Sequence, residues 1–257
     1  MKLAQQLVSL QTLVRKEISR VTRIWIQIFV PPVITMSLYF IIFGNLIGRR
    51  IGQMDGFDYM QYIAPGLIMM SVIQNSYGNV VSSFFGAKFQ KHLEEMLVSP
   101  MPTYAIIIGH VAGGVFRGLM VGSIVTVIAL FFTKLQIANI FVTISIVILT
   151  AIVFALGGLI NAILARKFDD ISIIPAFVLA PLTYLGGIFY SISLLPEFAQ
   201  KLSLFNPILY MVNAFRYGML GVSDIDIRVA YGITLTFIAI LFGVSMFMMD
   251  RGIGIRE

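Results

Sequence analysis

Long runs without a charged side chain decide what this chain can become. Ile24–Gly48, Tyr59–Ala87, Leu135–Ala165, Ile171–Leu195 and Val229–Met249 contain no Lys, Arg, Asp or Glu, and Thr103–Thr133 is interrupted only by Arg117. A helix needs roughly 20 apolar residues to cross the hydrocarbon core of a bilayer. Every run reaches that length, so six transmembrane helices are expected. Only 12% of residues are charged, about half the share of an ordinary soluble domain, which leaves too little polar surface to face water. The expected fold class is therefore all-α integral membrane, one transmembrane domain over 1–257 with no room for a soluble second domain. Pro65 is expected in the first turn of its span, where a missing N–H costs little. Pro175 and Pro181 are expected to kink the fifth span.

Two segments fall outside the spanning rule. Leu3, Leu7, Leu10, Val14, Ile18 and Val21 recur at gaps of three and four, with Arg15, Lys16, Arg20 and Arg23 in the later half. That pattern predicts an N-terminal amphipathic helix over 1–23, lying on an anionic membrane surface or packed on neighbouring spans. Leu202–Phe215 is a short apolar run that follows Pro196 and contains Asn206-Pro207. It is too short to span, so 196–220 is expected to form a broken, re-entrant or external helical segment before the last span.

Basic residues set the orientation. With the N-terminus inside, eleven lie on the cytoplasmic side (Lys2, Arg15, Lys16, Arg20, Arg23, Lys88, Lys91, Arg166, Lys167, Arg251, Arg256) against six outside. Both termini are thus expected in the cytoplasm. The same placement beside apolar runs explains the net charge of +6 without nucleic acid. Cysteine is absent, which excludes disulfides and thiolate metal sites. A cleavable signal peptide is not expected, because the first apolar run starts late and is too long.

Catalytic chemistry is missing. No Gly is followed by Lys, so the chain lacks the pair a P-loop needs to hold nucleotide phosphates. His92 and His110 sit in different segments, and the acid pairs Glu94-Glu95 and Asp169-Asp170 fall in expected loops. No catalytic or metal site is expected, and no cofactor in this chain.

One loop is more specific. In Lys88–Pro102, reading KFQKHLEEMLVSPMP, Phe89, Leu93, Met96 and Leu97 share a helical face, and Pro100 and Pro102 end it. Further on, Leu182–Gly221 carries Leu195-Pro196, Asn206-Pro207, Tyr210 and Arg216. Together these resemble the permeases of ATP-binding-cassette exporters of the second type, over essentially the whole chain. The pattern is similar to small bacterial inner-membrane permeases encoded beside a separate ATPase. Lys91-His92 stands where the family often has a glycine-threonine pair. The resemblance implies that 88–100 is a cytoplasmic coupling helix, with Phe89, His92, Leu93, Glu94 and Glu95 meeting a P-loop ATPase that binds ATP and Mg. It also implies two permease copies, in all expectation a homodimer, and short external helices dipping into the membrane before the last span.

Candidate pathway residues are Arg117, Tyr190, Asn206, Tyr210 and Arg216. An arginine at a helix centre costs roughly 2.5–3.5 kcal/mol on insertion scales, so Arg117 must face a cavity, a subunit or backbone carbonyls. Gly114, Gly118 and Gly122 beside it permit close helix approach. For Asn206 and Arg216 a structural role is favoured over substrate contact. The expected function is export of a hydrophobic or amphipathic substrate, with a lipid-linked polysaccharide as the alternative because Tyr184, Phe189, Tyr190 and Tyr210 offer aromatic surface. An autonomous channel or secondary transporter is the other class. It is disfavoured because all twelve acids lie outside the six runs.

Overall fold

The computed structural model describes residues 3–255, and about four fifths of them are helical. Helix α1 (Leu3–Arg23) passes through a single break into α2 (Trp25–Tyr39), which widens into a π-helical stretch (Phe40–Ile47) and a last turn (Gly48–Ile51). A two-residue antiparallel hairpin, Gln53–Met54 with Phe57–Asp58, leads into α3 (Tyr59–Phe89). The short α4 (His92–Val98) follows, then α5 (Thr103–Phe132) and α6 (Ile140–Leu164). Next come α7 (Asp170–Tyr184), α8 (Glu197–Ser203), α9 (Pro207–Leu220) and α10 (Ile227–Arg251).

Among the described residues, four helical stretches, Trp25–Gly44, Thr103–Phe132, Ile140–Leu164 and Ile227–Arg251, are long and apolar enough to cross a membrane. The other two expected spans differ for physical reasons. Helix α3 has the length, but it carries Ser71, Gln74, Asn75, Ser76, Asn79, Ser82 and Ser83, and most of its residues are buried among the other helices. Helix α7 stops at Tyr184 rather than Leu195, after three five-residue pieces, the middle one π-helical and starting at Pro175. The chain turns at Gly186-Gly187, where Gly187 takes a φ of 70° that favours glycine. Pro65 lies in the second turn of α3, not the first.

Two apolar cores stack along α3. One gathers Ile63, Leu67, Val121, Val125, Ile208 and Val212. The other gathers Phe84, Phe85, Ile106, Leu156, Leu159 and Ile163 near α4. Glycines on α5 let two helices approach on different sides. A β-carbon at Gly114 would lie 2.6 Å from a Val80 methyl on α3, and one at Gly113 would lie 2.7 Å from Cβ of Glu17 on α1. The N-terminal helix is thus packed against the bundle through Leu13, Glu17 and Val21, all buried. Leu7 and Val8 remain outward. Tyr59 and Tyr62, in the first turn of α3, are buried. Lys2 and Arg256, counted in the charge balance, lie outside the described residues.

Candidate functional site

The turn after α3 is tight. Lys91 adopts a left-handed φ of 62° before α4 begins at His92. This rotation divides the apolar stripe expected on one face. Leu93 is only 1% exposed and packs with the lower core, with Met96 against the same core. Leu93 is therefore corrected from a partner contact to a core residue, since its side chain is turned into its own chain. Phe89 is 62% exposed. Glu94 and Glu95 are exposed, and His92 Nδ1 lies 3.8 Å from the Glu95 carboxylate.

Phe168, from the loop before α7, completes this surface and was missed from the sequence. Its ring meets Phe89 edge-on at 4.8 Å and Phe85 at 5.0 Å, while the residue stays 55% exposed. An aromatic alone in the charged stretch Arg166–Asp170 was the available signal. Lys88 Nζ donates to the carbonyls of Ile163 (2.9 Å) and Ala165 (2.6 Å), tying the end of α3 to the end of α6. The Asp170 carboxylate accepts from the backbone N–H groups of Arg166 and Lys167, both at 2.9 Å. Those bonds hold it below the usual carboxylate range.

Arg117 opens on a cleft of about 280 Å³ between α2, α3 and α5. Its Nε donates to Asn75 Oδ1 at 3.3 Å. Gln27, Thr35 and Gln74 stand at the cleft with exposed side chains.

The other pathway candidates have different surroundings. Arg216 is fully buried. Its Nη2 donates to the Gly187 carbonyl, its Nη1 to Asn213 Oδ1 at 3.4 Å, and its guanidinium lies 4.1 Å from the Tyr62 ring centre. Asn206 caps α9 by accepting from the Ile208 N–H (3.0 Å) and donates to the Leu182 carbonyl (2.6 Å). Both hold the broken segment together. Tyr210 and Tyr190 are half-buried, and each hydroxyl donates to a main-chain carbonyl, of Leu204 (2.8 Å) and of Tyr184 (3.2 Å). Near Tyr190, the rings of Tyr39, Phe43, Tyr184 and Phe189 stack into one patch.

A buried acid also escaped the sequence. Glu17 is 1% exposed, accepts from Ser83 Oγ at 2.7 Å and pairs with Arg20 at 3.2 Å. Arg20 in turn donates to Asn79 Oδ1 at 2.8 Å. The apolar stripe drew attention to the neighbouring face of α1, although Glu17 sits four residues from both Leu13 and Val21.

Several known proteins are similar to this chain. The inner membrane transport permease YadH of Escherichia coli (strain K12) is 57% identical over 251 residues, covering 97% of this chain and 98% of that one. Nodulation protein J of Rhizobium leguminosarum bv. viciae is 22% identical over 215 residues, 83% of each chain. The corresponding protein of Sinorhizobium fredii is 24% identical over 219 residues, 84% of this chain and 80% of that one. The family model described as ABC-2 type transporter matches residues 8–220, most of the bundle, and the chain belongs to that family.

Proposed function

We propose that this chain is the permease subunit of an ATP-driven exporter in the bacterial inner membrane, working with a separate P-loop ATPase. The observation that carries this is the family match over 8–220, joined to the strong likeness to an inner membrane transport permease. ATP and Mg belong to the partner. Two identical copies enclose the path. Six spans cross the bilayer with both termini inside, α3 and α7 being the two beyond the four apolar helices. Helix α3 supports its place by length: 31 residues rise about 46 Å, more than the hydrocarbon core.

The coupling surface is α4 with Phe89 and Phe168. Its mechanical link is α3, which runs from that surface to the Tyr62–Arg216 contact at its other end. Closure of the ATPase pair pushes α4, and Lys88 passes the displacement to α6. Transport then requires that the nucleotide state favour one permease shape over the other. The cargo is a hydrophobic or amphipathic molecule. The patch of Tyr39, Phe43, Tyr184 and Phe189 favours a second reading, a lipid-linked polysaccharide, since flat aromatic faces stack on sugar rings.

Co-expression of the chain with its cognate P-loop ATPase, followed by detergent purification, tests the subunit reading. A stoichiometric complex whose hydrolysis drives uptake into inverted vesicles is expected, with Phe89→Asp and Phe168→Asp releasing the ATPase. Vectorial transport by the permease alone would refute the energy source.

A further inference from the structure

The two intramembrane arginines are treated differently by the fold. Arg216 meets a carbonyl, an amide oxygen and an aromatic face. Arg117 has one bond, from Nε to Asn75, and among the described residues its two terminal nitrogens meet no acceptor. They front the cleft between α2, α3 and α5. A desolvated guanidinium left half-satisfied needs an oxygen-bearing partner from outside the chain.

The walls specify that partner. Among the described residues no Asp or Glu lines the cleft, and nearby Arg20 is already paired with Glu17, so Arg117 sets the sign of the local charge. Thr35 and Gln74 present exposed polar side chains within their helices and Gln27 one in the first turn of α2, where contact with acyl chains is costly. Pro31 and Pro32 have no N–H, so the carbonyls of Gln27 and Ile28, both cleft residues, lose their usual helical donors. Those carbonyls suit ligand hydroxyls, as the guanidinium suits an anion. The cleft, about 280 Å³, holds a headgroup and not a whole lipid. Beside it the outer face of α2 is apolar, with Ile26, Val30, Ile34 and Leu38 exposed, a track for an acyl tail.

We infer that this cleft binds the anionic, hydroxyl-bearing headgroup of an amphiphile, with Arg117 as its charge anchor. Only the identification of that amphiphile as cargo rests on the exporter reading; a resident anionic lipid has the same chemistry.

Binding to the purified full chain, without ATPase or nucleotide, separates the two questions. Native mass spectrometry in neutral detergent with dodecyl phosphate, and with dodecyltrimethylammonium as the opposite charge, reads the site. Dodecyl phosphate is expected to bind and the ammonium not. Arg117→Gln is expected to weaken phosphate binding at least about tenfold, and Arg117→Lys much less, because one charged contact is lost or merely reshaped. If Arg117→Gln does not fold, Gln74→Glu places a carboxylate in the cleft and must weaken the same binding. Titration of nanodisc-held protein with phosphatidylglycerol separates the sources: Arg117-dependent retention of that lipid assigns a resident lipid, and Arg117-dependent dodecyl phosphate binding without it assigns cargo. Equal affinity for both head charges, or binding unchanged in folded Arg117→Gln or Gln74→Glu, overturns the site. Intact binding with failed ATP-driven transport instead overturns the exporter reading.

Discussion

Replacing Arg216 measures whether its role is structural. Arg216→Ala removes a charged hydrogen bond to the Gly187 carbonyl, a weaker one to Asn213 and the stacking on Tyr62. Hydrogen bonds to charged groups contribute about 1.5–3 kcal/mol each, and a desolvated cation–π contact about 2 kcal/mol. Burial of the charge offsets part of that sum, so a net loss of about 3–5 kcal/mol is expected, the usual result of breaking a buried charged network. For a chain of this size that lowers the thermal midpoint by roughly 6–20 °C. Arg216→Lys keeps the charge but loses the planar stack and the fork, so it should fall between. Arg216→Met fills the volume without a buried charge and should be milder than Ala. Circular dichroism melts of the purified protein in detergent read all three. A midpoint for Arg216→Ala within about 2 °C of the parent, far below the worked shift, would refute this reasoning; with transport abolished, it would move Arg216 onto the substrate path.

Three further outcomes follow from the same contacts. Leu93→Ala should cost about 2–5 kcal/mol of stability as a core truncation, whereas Phe168→Ala should leave the melt unchanged and weaken ATPase co-purification; the reverse pattern would contradict the observed rotation of α4. Gly113→Leu should drive α1 off α5, because a β-carbon there already meets Cβ of Glu17 at 2.7 Å, and limited proteolysis should then cut within 3–23 while the remaining helices stay protected. Asp170 has a depressed pKa from its bonds to two backbone N–H groups, so that contribution is present above the ordinary carboxylate value of about 3.9 and is lost as pH falls through the folded-state value below it; exchange protection of the Arg166 and Lys167 amides should hold above about 3.9 and weaken progressively on acidification below it, and Asp170→Asn should abolish that pH dependence.

Charge-free length made α5, α6 and α10 legible, because nothing else in a sequence needs so many apolar residues in line. The same criterion overran on Ile171–Leu195. Hydropathy cannot see that Gly187 turns the chain, and Leu185–Leu195 is as apolar as the helix before it. The site was partly legible. Arg117 announced itself by cost, and Asn206 and Arg216 by their place in a short broken run. Glu17 did not, since an acid inside a basic cluster, between Lys16 and Arg20, reads as a solvated charge until α3 brings Ser83 and Asn79 against it. Leu93 and Phe89 were indistinguishable in the stripe, because the left-handed Lys91 that separates them leaves no mark in an apolar period.

The polarity of α3 has a consequence for motion. Its Asn75, Asn79 and Ser83, four residues apart, meet Arg117 on α5 and Arg20 and Glu17 on α1. Gly114, Gly118 and Gly122 let the α5 backbone close directly onto Val80, Ser76 and Val72 of α3. Sliding these helices would break several buried polar contacts at once, each costly without water, so α1, α3 and α5 move as one body. Helices α2 and α7 are different: each leaves a broad apolar face outside, through Ile26, Ile34 and Leu38 on one and Ile173, Phe177 and Val178 on the other. Helix α2 also runs directly into a π-helical stretch and α7 contains one, where hydrogen-bond register is already relaxed. Under the proposed coupling, a push received at α4 would therefore meet stiffness along α3 and compliance at α2 and α7, and α2, one wall of the Arg117 cleft, carries the exposed apolar face.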